Sequence, residues 1–148
     1  LVGHSLGGMV SLLLQSRKNV ADAIVAWDPS NRLARYVKDD IKKGRIRYRG
    51  KEYLFLDWGI EITISREILD EWKKLGDVSS NMKSINCPVM IIGAGKSALK
   101  TDGKKFYKML RGPKELKIIK DADHGFKLYS HESQLVKYTV EWFNKWLK

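Results

Sequence analysis

An α/β architecture, with helices packed on a mostly parallel sheet, is predicted by three features of this sequence. Strand-like and helix-like segments alternate toward both ends of the chain. Residues 23–27 and 87–93 are short continuous apolar runs, as required of strands covered on both faces. The chain also opens on Gly3-His4-Ser5-Leu6-Gly7, a Gly-x-Ser-x-Gly pattern in which a serine sits on a sharp turn between a buried strand and a helix.

The turn explains the spacing. It forces Ser5 into a strained backbone conformation, and glycines on either side let strand and helix approach with no Cβ between them. After it, residues 8–17 read as a helix apolar on most sides, which predicts burial on several faces. Residues 23–27 then form a strand before Asp28-Pro29, so that strand, turn, helix and strand make a right-handed crossover.

From residue 30 to 81 charges rise and the alternation lapses. Residues 31–43 read as a short helix and 45–56 as strands or a hairpin. Ser65 reads as a helix start, with Ile68, Leu69 and Trp72 at helical spacing. This stretch reads as a cap insertion over a site. Its Tyr48, Tyr53, Phe55 and Trp58 have the chemistry to line an acyl or aryl pocket, although the aromatics of a small cap more often form its own core.

The alternation then resumes. A strand over 87–93 carries its proline at the start, where no ladder donor is lost. A helix over 103–111 stops at Gly112-Pro113, and a strand over 114–119 leads to the loop 121–126. A closing helix over 130–148 has a stripe of Leu135, Tyr138, Thr139, Trp142, Phe143 and Trp146. The predicted organisation is therefore 1–29 and 82–148 as one core and 30–81 as the insertion.

Composition narrows the function classes. At 148 residues with 43% hydrophobic residues, the chain suffices for one core. No run approaches a membrane span, and nothing resembles a signal peptide. The single cysteine, Cys87, excludes an internal disulfide and a cysteine metal cluster, which fits a cytoplasmic location. The net charge of +11 raises nucleic acid as a partner. The best patch is Arg45, Arg47, Arg49 and Lys51, four cations on one face of a strand, but no nucleic-acid-binding signature accompanies it and a solvated face is the better reading.

The order of these parts, a Gly-x-Ser-x-Gly elbow, a strand, a cap, a Pro-Val-Met-Ile-Ile strand and a late Asp123-His124-Gly125, resembles the C-terminal half of an α/β-hydrolase. Within that superfamily it is similar to cinnamoyl or feruloyl esterases and to serine-peptidase-like hydrolases. The resemblance implies the C-terminal part of an α/β-hydrolase parallel sheet with flanking helices and a small cap. It implies Ser5 as nucleophile, His124 as general base and the Leu6 N–H as an oxyanion donor, with a small-molecule ester as substrate; no cofactor or metal is expected, and on composition and motifs neither membrane nor nucleic acid is expected as a partner.

The chemistry of these residue types agrees. A serine hydroxyl is a poor nucleophile near neutrality and needs a base within hydrogen-bond reach, a task imidazole can perform. His4 and His131 read as packing residues. The acid of the triad is the departure from the family pattern: Ser97 stands where the carboxylate is expected, and Asp102 and Asp28 are the candidates to replace it. The strands that would precede the elbow are also missing, so the resemblance implies a fragment, or a half completed by a second copy or by a complementing N-terminal half. The alternative to an esterase is a non-catalytic hydrolase-like protein serving as a binding or assembly module.

Overall fold

The fold is described from a computed structural model covering residues 1–50, 53–57 and 61–147, with only the backbone described at residues 49, 53–57 and 61. The chain divides into two compact units, one of Leu1–Asn31 with Val78–Lys148 and the other Arg32–Asp77.

The larger unit is built on four parallel strands in the order β1-β2-β6-β7: β1 (Val2–His4), β2 (Ile24–Trp27), β6 (Val89–Ala94) and β7 (Lys114–Ile119). Its two central strands are the apolar runs, and every residue of β6 is buried. Alternation along them separates two layers. Val25, Met90, Ile92 and Ala94 pack with Leu135 and Trp142 of α5 (Tyr129–Trp146), and Trp27 donates its indole N–H to Thr139 at 3.0 Å. Helices α1 (Leu6–Lys18) and α4 (Lys100–Met109) connect β1 to β2 and β6 to β7. Gly103 lets α4 lie close to the sheet, since a Cβ there would come within 3.2 Å of Ile91.

Helix α1 is buried on only part of its surface. Met9, Leu12 and Leu13 are buried, but Leu6, Val10 and Leu14 form an exposed stripe at four-residue spacing. The reason is topological. β1 pairs only with β2 among the described strands, and Leu1 and Val2 on this edge are exposed as well.

The smaller unit contains α2 (Leu33–Lys42), the antiparallel sheet β3 (Ile46–Arg49), β4 (Tyr53–Asp57) and β5 (Glu61–Ser65), and α3 (Glu67–Leu75). Leu33, Val37, Ile46 and Trp72 are its buried apolar side chains among the described residues, and Arg45 pairs with the buried Asp40. The strand β5 is an addition to the expected hairpin. Residues 63–65, read as the approach to a helix, pair in register with β4, and the Ser65 hydroxyl meets the Glu67 carboxylate at 3.1 Å instead of capping a backbone N–H. Tyr48 is exposed, with the Arg66 guanidinium 4.9 Å above its ring. The other aromatics considered for a pocket, Tyr53, Phe55 and Trp58, have side chains outside the described residues, as do Arg49 and Lys51 of the cationic stretch.

Where the chain leaves and rejoins the larger unit, Asn31 ties three segments together. Its N–H donates to Asp102 Oδ2 at 2.8 Å and its side-chain oxygen accepts from the Val78 N–H at 3.0 Å.

Candidate active site

Ser5 lies at the C-terminal end of β1 with φ 56° and ψ −118°, in the left-handed half of backbone space that a non-glycine residue rarely enters. Its N–H donates to the Trp27 carbonyl at 2.9 Å, and its own carbonyl accepts from Met9 and Ser30 N–H groups, so the turn is held from both sides. The glycines do unequal work. A Cβ on Gly3 would collide with the Gly7 carbonyl, and one on Gly8 would meet Gly3 O at 3.0 Å and Pro29 Cβ at 3.1 Å, whereas one on Gly7 would meet nothing. Close approach therefore depends on positions 3 and 8, not on the symmetric pair around Ser5. Leu6 is the first residue of α1, where a backbone N–H has no partner within the helix.

His124 is carried by the loop after β7. That loop is fixed to the neighbouring strand end by Lys96 N–H donating to the Ala122 carbonyl at 2.9 Å, and by Phe126, which is buried in the core. Asp121 and Phe126, on either side of the histidine, both have positive φ, at 61° and 51°, giving the tight curve that presents the imidazole.

Three side chains meet here. His124 Nε2 lies 3.0 Å from Ser5 Oγ, and His124 Nδ1 lies 2.7 Å from Asp28 Oδ2. Asp28 follows β2 directly, is fully buried, and accepts the Ala94 N–H on its other oxygen at 3.1 Å. A carboxylate oxygen in this contact accepts, so a neutral His124 here carries its proton on Nδ1 and turns the Nε2 lone pair to the serine hydroxyl. A buried carboxylate is tolerable where, as here, both oxygens have donors.

The other residues considered for the acid are engaged elsewhere. Asp102 is buried in α4 on the Asn31 N–H, and the Ser97 hydroxyl accepts from the Leu99 N–H at 3.0 Å. His131 is buried within α5. His4 does more than pack: its Nε2 lies 2.8 Å from the His124 carbonyl and its ring centroid 4.6 Å from that of His124. Partial burial lowers the His4 pKa below its ordinary value of 6.5, and the nearby His124 works in the same direction, against the carbonyl contact and Asp28, which raise it. Burial also pushes the Cys87 thiol upward. No cluster that could hold a metal ion occurs among the described residues, and no helix among them is long and apolar enough to cross a membrane.

A parallel sheet with this strand order, a strand-to-helix serine turn and a histidine loop at the same rim defines an α/β-hydrolase type of fold, represented here in part. Solved structures with the same fold include the esterase domain of a Rhodothermus marinus protein, at 15% identity and TM-score 0.77, covering 100% of this chain and 61% of that one. Est1E from Butyrivibrio proteoclasticus with bound ferulic acid matches at 17% identity and TM-score 0.71, over 99% of this chain and 58% of that one. Dienelactone hydrolase from Anabaena variabilis matches at 16% identity and TM-score 0.64, over 99% and 49%. This chain thus spans about half to three fifths of the length of these structures. No family model and no curated protein sequence matches it.

Proposed function

We propose that the protein is a serine hydrolase of small carboxylic esters that works through an acyl-enzyme. Ser5 Oγ attacks the ester carbonyl while His124 Nε2 takes its proton. The Leu6 N–H donates to the oxyanion, and the tetrahedral intermediate collapses as His124 returns the proton to the leaving alcohol. Water, activated by the same imidazole, then attacks the acyl carbonyl and releases the acid with regeneration of Ser5. Asp28 holds the Nδ1–H and offsets the imidazolium charge in both halves of the cycle.

The observation that carries this reading is the continuous path from Ser5 Oγ through the imidazole to Asp28, at 3.0 and 2.7 Å. The likeness to esterase structures supports an ester as substrate, and the ferulic acid bound in one of them makes methyl ferulate a natural companion to p-nitrophenyl acetate in a first assay. Turnover of either ester should fall to background in both Ser5→Ala and His124→Ala. Turnover unaffected by both changes would refute the proposal.

A further inference from the structure

We infer that His4 is a positioning residue for His124, holding the histidine loop to the sheet and orienting its imidazole against Ser5, an inference that rests on the hydrolase reading above.

Two independent contacts carry it. A carbonyl oxygen has no proton to give, so the 2.8 Å contact between His4 Nε2 and the His124 carbonyl requires the proton on His4 Nε2. The two rings also lie in a tilted contact, with centroids 4.6 Å apart and an interplanar angle of 33°, so His4 contacts both the backbone and the side chain of the residue it positions. Phe126, two residues further along the same loop, presents its ring to His4 edge-on at 6.2 Å and 64°.

The origin of the contact is rigid. His4 belongs to β1 and pairs in register with Trp27 of β2, directly before Ser5. One strand end therefore sets the position of the nucleophile through position 5 and of the base through position 4, across 120 residues of sequence. Without the His4 donor the loop keeps its anchor at Ala122 and the contact to Asp28, but the main chain at residue 124 itself has no hydrogen bond to the sheet among those described. An error of about 1 Å in the placement of a reacting group costs about a hundredfold in rate, so a small drift here would register in turnover. The tilted stack favours a neutral His4. A cationic ring at that distance would oppose the imidazolium that His124 becomes during each acyl transfer.

Two substitutions separate the contributions. His4→Phe keeps a ring and removes the donor, whereas His4→Gln places an amide N–H where Nε2 stands. With both as folded proteins, kcat for p-nitrophenyl acetate should fall about 10- to 100-fold in H4F with KM nearly unchanged, and recover to within about threefold of wild type in H4Q. In 15N-labelled protein near pH 7, the His4 ring nitrogens should show the shifts of the neutral Nε2–H tautomer. The low-field His124 Nδ1 proton should broaden in H4F and return in H4Q. Wild-type turnover together with an unchanged His124 Nδ1 proton in H4F would overturn the inference and leave the hydrolase reading standing. Failure of the hydrolase reading would show instead as wild-type turnover that ignores Ser5→Ala, and the His124 resonances would still report whether His4 holds it.

Discussion

Two loops leave the same rim of the sheet from adjacent strands and serve different ends. After β2, Asp28 turns with φ 39°, donates its N–H to the Ile92 carbonyl at 2.7 Å, and directs a fully buried carboxylate at His124. After β6, Gly95 and Lys96 donate to Ile119 and Ala122, Lys100 Nζ reaches the Gly95 carbonyl, and Ser97 turns its hydroxyl to Leu99 at the start of α4. The first loop brings a carboxylate to the imidazole. The second braces the base of the histidine loop and starts a helix. The lesson is that the carboxylate His124 meets is set by whichever strand end points at Nδ1, and its distance along the chain from the histidine is no guide.

The most severe break in that comparison is Asp28→Asn, which preserves shape but removes the charge opposite the imidazolium. It should lower kcat about 10⁴-fold with little change in KM, measured on p-nitrophenyl acetate. Adding Ser97→Asp to that variant tests whether the two loops are interchangeable. Because Ser97 faces Leu99 N–H and an aspartate there would take over the same contact, activity should stay within about tenfold of Asp28→Asn. Full recovery would show that the two strand ends are equivalent.

Asp102→Asn sharpens the contrast from the structural side. The carboxylate holds the Asn31 N–H, so its neutralisation should lower stability by about 1–3 kcal/mol in urea unfolding and leave kcat unchanged. The smallest expected effect is a pH slope from His4. Its folded pKa lies below the ordinary 6.5, so the unfolded chain takes up a proton that the folded protein resists. Stability from this group is complete above 6.5 and is lost as pH falls through the lowered folded value. Urea midpoints measured downward from pH 7 should therefore fall less steeply in His4→Gln.

Much of this frame is readable from sequence because its signals are local. The serine turn, the buried runs that become β2 and β6, and the stripe on α5 each lie within one segment and reflect one period of apolar residues. The acid does not. Asp28 precedes a proline and reads as a turn residue, and Asp102 reads equally well, because only the path of the 121–128 loop decides which one the imidazole meets. His4 offered no signal either, since its partner is a carbonyl group far along the chain. The strand Glu61–Ser65 was legible in the alternation of Ile62 and Ile64 but was masked by the helix-start pattern at Ser65. The exposed stripe on α1 follows from sequence only once the strand pattern is considered with it: apolar spacing reports that a face can be buried, and the open edge beside β1 says that it is not covered.

The central claim is that the Ser5 hydroxyl is activated by an imidazole paired with Asp28. It is tested most directly by treating the protein with a fluorophosphonate, mapping the phosphonylated peptide by mass spectrometry, and comparing labelling rates with Asp28→Asn. The account predicts a single adduct on Ser5 that forms far more slowly in the variant. An adduct elsewhere, or labelling of Ser5 at the same rate without the carboxylate, would contradict it.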